Sequence, residues 1–276
     1  MNLFLTLLVV VVANAVTISA ILFVRRTAPE GSYFTDGDRA SGVFGVLAGG
    51  FAIFAGFIIF LAFTTYDQSR SGGEAEALTV VQQFETAESF PAAVSDRMSG
   101  EIVCYGRSVV SQEWPAMKEG KGGDSINPWG FALFESVKLA DPKSATEQAA
   151  YSKWLDQTSD REEARRDRLH GAEGVVPRSV WLVLILIALV VFAFMLFFAD
   201  SGEARRSQAM LMGSATTVIV LTLAAINALG HPYQDGIGRI KPVAMERSLR
   251  ILDDARKLVG NTGELPCDAR GVRVSS

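Results

Sequence analysis

The chain has 276 residues, 49% of them hydrophobic, with a formal net charge of −4 and two cysteines. The length is enough for two ordinary domains. The acidic balance argues against nucleic acid as a partner, which needs clustered Lys and Arg to hold phosphates. The two cysteines lack metal-ligand spacing.

The apolar residues concentrate in four blocks of twenty residues or more, at Asn2–Val24, Gly42–Thr65, Ser179–Ala199 and Ala209–Leu229. A helix needs roughly 20 such residues to cross ~30 Å of hydrocarbon, and at 1.5 Å per residue each block is long enough. Four blocks this free of charge predict an all-α integral membrane protein with four transmembrane helices. The first block has no basic flank before it and no small-residue cleavage pattern after it, so it reads as a permanent span rather than a secretory signal. Four spans place both termini on one side. The membrane itself is the first partner the sequence implies.

Between the second and third blocks lies an acidic segment, with 19 Asp and Glu against 12 Lys and Arg from Tyr66 to Val176. Ala77, Val80, Val81 and Phe84 recur at helical spacing, so the second span is expected to continue as a long helix until Pro91. A second helix fits 92–117, with Met98, Ile102, Tyr105, Val109 and Val110 on one face. "KEGKGGDSINP" reads as a loop. Two further helices fit 129–140 and a stretch from Ala145 to Gly171 or Gly174, and Pro177 stands before the third span. After the fourth span, "GHPYQDGIGRIKP" is a loop. Met245, Leu249, Leu252 and Leu258 then form one face of a short amphipathic helix, and the last residues are expected to be disordered. The expected division is 1–65 and 178–230 as membrane helices, 66–177 as a helical extramembrane domain, and 231–276 as the tail.

Cys104 and Cys267 read as a small buried residue and a free thiol near a loose tail, with a disulfide left open if both face an oxidising side. Sidedness is divided as well. Arg25, Arg26 and Arg39, with Arg205 and Arg206, place the short loops in the cytoplasm by the positive-inside rule. Arg165, Arg166, Arg168 and Arg178, with Arg239, Lys241, Arg247 and Arg250, point the other way.

The sequence carries no catalytic constellation. His170 and His231 are far apart, and there is no P-loop, G-x-S-x-G or G-x-G-x-x-G. No enzyme activity, metal or cofactor is expected. "DREEARRDRLHG" suits an anionic headgroup or, more plainly, a solvated helix with Glu162 paired to Arg166. Trp114, beside Glu113 and Pro115, reads as a packing anchor. In the second span Gly49, Ile53, Phe57 and Leu61 form an i, i+4 stripe, and Gly45, Gly49 and Gly56 allow close helix approach. Such a stripe around a symmetry axis forms an apolar constriction that gates by dewetting. The same periodicity fits an ordinary span facing lipid or other helices.

The order of parts resembles the bacterial bestrophin-like family of membrane proteins. The resemblance is carried by "EAEAL" at 74–78, "YGRSVVSQEWPAM" at 105–117, "RRDRLHGAEGVVPRSVW" at 165–181 and "HPYQDG" at 231–236, within roughly Leu3 to Lys241. More distantly, "GFIIFLAFT" at 56–64 is similar to the bestrophin second span, and "HPYQDG" to the Asn-Pro-Phe-Gly turn of that family. Bestrophins are pentameric anion channels with a cytosolic helical region. The resemblance therefore implies a homo-oligomer, a pentamer, with small anions such as chloride passing along Gly49, Ile53, Phe57 and Leu61. It also implies a multi-pass protein of the cell membrane with helical domain and termini in the cytoplasm. The acidic calcium clasp of animal bestrophins is missing, with only Asp235 nearby, so calcium activation is not implied. The competing expectation is a membrane-anchored interaction or sensor protein without a pore.

Overall fold

A computed structural model of the chain describes residues 3–122, 127–236, 238–261 and 263–274. Nine α-helices are described: α1 (Leu3–Val24), α2 (Gly37–Ala87), α3 (Ala92–Ser108), α4 (Trp114–Lys118), α5 (Pro128–Val137), α6 (Ala145–His170), α7 (Arg178–Leu196), α8 (Arg205–Gly230) and α9 (Val243–Leu258). A π-helical turn, Val109–Glu113, joins α3 to α4 without a break. Among the described residues the only β pairing is an isolated bridge between Cys267 and Arg273. Four helices, α1, α2, α7 and α8, are long and apolar enough to cross a membrane. The all-α membrane fold expected from the four blocks is what the chain adopts.

The chain divides into two compact units. The first takes residues 1–64, 174–231 and 235–238 and holds the four apolar segments. Its α1 and α8 are joined inside the apolar region by polar side chains. Asn14 Nδ2 donates to Thr217 Oγ1 at 3.0 Å, and the Thr17 and Thr216 hydroxyls lie 2.8 Å apart. A Cβ at Gly213 would meet Asn14 Oδ1 at 3.1 Å, so a small residue lets the helices close around that bond. Asn14 is thereby helix glue. Phe51, Ala55 and Ile58 of α2 pack with Leu184, Ala188 and Val191 of α7 and Ile219 and Ile226 of α8. The glycines of α2 behave differently from expectation. Among the described residues no atom outside the helix's own turns lies within 4 Å of where a Cβ would sit at Gly45, Gly49 or Gly56, so no described helix of the same chain uses them for close approach.

The second unit takes residues 65–173, 232–234 and 239–276. Its core joins Ala77, Val80 and Phe84 with Met98, Ile102, Tyr105 and Val109, closed by Trp129, Trp154 and Met245. Caps fix the helix starts. Asn127 Oδ1 accepts from Trp129 N at 3.0 Å with Pro128 in the first turn, and Ser144 and Glu147 form a reciprocal capping box. Gly72 of α2 faces the α6 backbone so closely that a Cβ there would lie 2.5 Å from Arg168 N.

Three expectations are corrected here. Cys104 and Cys267 are joined in a disulfide, so the chain has no free thiol among its described residues. The tail is not loose: Trp129 Nε1 donates to Gly271 O at 2.7 Å, Arg107 Nη1 to Asp268 O at 3.2 Å and Gln112 Nε2 to Arg270 O at 3.1 Å. Sequence gave no sign of this because backbone carbonyls, not side chains, make most of the contacts. In α9, Met245, Leu249 and Leu252 face the core, but Leu258 is 88% exposed, because the helix ends there and its last turn overhangs the core.

Candidate functional site

The first candidate surface is the outer face of α2 within the apolar region. At 100° per residue, Ile53 lies about 200° from the buried Phe51, and Phe57 likewise from Ala55. Both therefore point away from the packed side of the helix, with Ile53 77% and Phe57 59% exposed. Of the four residues singled out from sequence, these two sit at the centre of the outward face. Gly49 is half-buried at one edge, and Leu61 is exposed at the other. The steps of four drift around the helix, whereas Val46, Gly50, Ile53, Phe57, Phe60 and Thr64, all exposed, keep to one line within a broader exposed face that also holds Ala52, Gly56, Leu61 and Phe63. Those steps alternate four and three, the seven-residue repeat by which helices pack around a common axis. Val46 and Phe60, 76% and 60% exposed, are the members the i, i+4 reading missed. A heptad count over the same span finds them.

On the opposite side of α2 lies an apolar groove of about 910 Å³, bounded by Phe44, Phe51 and Ala55 and by Met212 and Ile219 of α8. The outward stripe takes no part in it.

The second site is a buried ion network in the helical unit, centred on Arg168, for which the sequence offers a solvated helix or an anionic-headgroup site. Arg168, fully buried, donates through Nη2 to Glu113 Oε2 at 2.6 Å and to Glu76 Oε1 at 3.0 Å, and pairs through Nε with Glu76 Oε2. Arg165 reaches the same Glu113 at 3.3 Å, and Asn127 Nδ2 donates to its Oε1 at 2.8 Å. Tyr105 OH donates to Glu76 Oε1 at 2.5 Å, and the Arg168 guanidinium stands 5.2 Å from the Trp114 ring centroid. No ion pair joins Glu162 to Arg166 among the described residues. The face of α6 that carries Trp154, Arg161, Ala164 and Arg168 is turned inward instead.

Burial alone would raise the Glu113 carboxyl, but Arg168 and Arg165, with hydrogen bonds from Arg168 and Asn127, hold it below the usual carboxylate range. Burial pushes the Tyr105 hydroxyl well above its ordinary value, and Glu76 adds to the shift. Burial acts to lower Arg168, yet Glu76 and Glu113 outweigh it and keep the guanidinium charged. Trp114 is the packing anchor expected, with its Nε1 donating to Ile240 O at 3.4 Å and its ring edge-on to Tyr233. Tyr233, from the "HPYQDG" turn, donates its hydroxyl to Arg168 O at 2.5 Å. Among the described residues no three His, Cys, Asp or Glu side chains converge as metal ligands do.

These residues are the ones that carried the resemblance: Glu76 in "EAEAL", Glu113 and Trp114 in "SQEWPAM", Arg168 in "RRDRLHG" and Tyr233 in "HPYQDG". The four stretches meet in one network, and the profile of the bestrophin-like domain matches residues 10–245. The chain belongs to the bestrophin-like family. Solved structures agree with that placement. The bestrophin homologue from Klebsiella pneumoniae superposes on this bestrophin-like chain with a TM-score of 0.68 at 14% identity, over 92% of this chain and 98% of that one. One point variant of it gives 0.70 at 13% identity over 90% and 97%, and another 0.66 at 14% over 95% and 99%. At this identity the likeness establishes a shared fold over nearly the whole length. No curated protein matches the sequence.

Proposed function

We propose that this bestrophin-like protein assembles as a homo-oligomer, a pentamer, around the outward face of α2 and conducts small anions passively through an apolar neck. Gly49, Ile53, Phe57 and Leu61 line that neck, with Ile53 and Phe57 nearest the axis. The membrane part is then 1–65 and 178–230, with 66–177 and the tail outside the bilayer. The observation that carries the reading is the exposed heptad line from Val46 to Thr64, whose large apolar members find no partner in the packed side of their own chain. Such a line is what a helix presents when copies of it surround one axis, and an apolar ring there controls flow by wetting and dewetting.

The test is the mass of the detergent-purified protein, followed by chloride flux from liposomes. A five-fold assembly whose flux rises, or loses its gating, in Ile53→Ala with Phe57→Ala supports the proposal. A monomer or dimer, or unchanged flux from a correctly assembled double variant, refutes it. The reading then becomes a membrane-anchored interaction protein whose helical unit does the binding.

For orientation, the resemblance favours a cytosolic helical region, but two features of this chain favour the reverse. The short loops carry Arg25, Arg26, Arg39, Arg205 and Arg206, and the helical unit holds the Cys104–Cys267 disulfide, a bond that persists in oxidising compartments. We therefore place the helical unit and both termini outside the cytoplasm. Alkylation of freshly lysed cells in denaturant, followed by a non-reducing gel, reads the outcome. An oxidised pair in the great majority of molecules supports this orientation, and two alkylated thiols overturn it.

A further inference from the structure

The inward face of α6 carries a second arginine whose charge no carboxylate cancels. Arg161 is 1% exposed. Its Nη1 donates to Gln83 Oε1 at 2.8 Å, and its guanidinium lies 4.9 Å from the Tyr105 ring centroid. Both partners are neutral, and among the described residues no Asp or Glu comes within ion-pair distance of it. Glu76 and Glu113 are already engaged by Arg168. A buried guanidinium without a counter-charge is costly, so the site asks for an anion.

Its neighbours on the same face are also incomplete. Gln157, one turn before Arg161 and 5% exposed, has its Oε1 buried with no hydrogen-bond partner. Trp154, three residues earlier and fully buried, has an unpaired Nε1–H. Buried polar groups are nearly always partnered, by protein, water or a ligand. Rotating the Gln157 amide by half a turn presents its NH2 where Oε1 now sits, which makes all three groups donors. Water answers a missing hydrogen bond but leaves the charge of Arg161 uncancelled. A monovalent ion answers both.

We propose that Arg161, with Gln157 and Trp154, holds a small inorganic anion of the halide or nitrate class inside the helical unit. One uncompensated cation with two neutral donors matches a single negative charge and not a phosphate or a lipid headgroup, which calls for several basic groups. The site is independent of the proposed pore: it lies in the helical unit and does not require conduction.

The experiment uses the full-length protein in mild detergent, exchanged into sodium chloride, bromide, nitrate or gluconate at one ionic strength. Thermal unfolding is followed by tryptophan fluorescence. The expected result is a midpoint several degrees higher in chloride, bromide or nitrate than in gluconate, saturating with concentration as site binding does. Arg161→Met should abolish that difference, while Arg70→Met, at an exposed position, keeps it. Equal midpoints in chloride and gluconate overturn the proposal, as does a difference that survives in Arg161→Met. If Arg161→Met does not fold, crystals of the unaltered protein grown in bromide decide the matter. An anomalous peak beside Arg161 and Trp154 supports the site, and its absence there sinks it.

Discussion

Replacing Arg168 with Met tests the ion network most directly. The guanidinium is fully buried, and it is hydrogen-bonded to both Glu76, also fully buried, and Glu113. Met fills much of the same volume but leaves two buried carboxylates, one with no cation and one with Arg165 alone. Removing one partner of a buried pair costs about 3–5 kcal/mol, a large share of the roughly 5–15 kcal/mol by which a domain is stable. The pH dependence must invert as well. In the native chain the Glu113 carboxyl is held low, so its contribution is present above its unfolded value and is lost as pH falls through the folded one. In the variant the orphaned carboxylates are relieved by protonation, so the deficit should be largest at pH 7–8 and shrink towards pH 5. Urea unfolding in detergent, followed by the fluorescence of Trp114 beside the site, measures both effects. Arg70→Met, which breaks the exposed pair with Glu74, serves as the control and should leave the unfolding transition essentially where it is. Adding Glu113→Gln to Arg168→Met should restore part of the loss. A deficit below about 1 kcal/mol, or one that does not shrink towards pH 5, refutes the assignment of Arg168 as the charge that holds this core together.

Two further outcomes follow from close contacts. Gly72→Ala places a methyl group 2.5 Å from Arg168 N and 2.8 Å from Ala164 O, both backbone, so α2 and α6 must separate. Unfolding should then shift down by roughly 1–3 kcal/mol, the usual cost of overpacking, whereas Gly45→Ala, in open space within the helix, should not lower it. Reducing the Cys104–Cys267 bond, which closes a loop of 163 residues in sequence, should cost roughly 2–4 kcal/mol. It should also expose the tail after Leu258 to limited proteolysis. A tail that stays protected when reduced would mean that the contacts to Gly271 and Arg270 suffice alone.

The four spans were legible because hydropathy over twenty residues has no other cheap explanation in water. Pro91 and Pro177 marked helix boundaries for an equally local reason: each leaves a carbonyl without its helical donor. Arg168 was misread because charge in "RRDRLHG" was weighed before position. Trp154 and Ala164 define the inward face of α6, and Arg161 and Arg168 fall on it at steps of seven and four residues from them. A count of face before charge would have placed both inside. The disulfide could be left open but not decided from sequence, since nothing local brings residues 104 and 267 within 5.8 Å between Cα atoms. On α2, sequence located Ile53 and Phe57 on one side of the helix. Which side is packed within the chain, and hence that the free line is a heptad, depends on where Leu184 and Ile219 lie, and that is tertiary information.

The π turn at Val109–Glu113 links the ion network to the contacts that hold the tail at Arg270, and its extra residue explains both. The inward face of α3 runs through Met98, Ile102, Tyr105 and Val109. Continued at 3.6 residues per turn, it would next turn Gln112 and Ala116 inward. The inserted residue delays the face by one position, so that Glu113 and Met117 are buried in their place. Glu113 thereby meets Arg168 and Asn127, and Met117 Sδ lies 3.5 Å from Arg168 Nη1. The same shift leaves Ser111 and Gln112 facing outward, where Ser111 Oγ donates to Arg270 O at 2.5 Å and Gln112 Nε2 to the same carbonyl. Gly271, with φ of +72°, turns the tail there against the backbone of Ser108, a conformation and a proximity that only glycine meets. One inserted residue in α3 thus aims a carboxylate at the buried arginine and presents two donors to the disulfide-tied tail. Deleting one residue from the turn should therefore disturb the tail and the ion network together, whereas changes at either alone should leave the other in place.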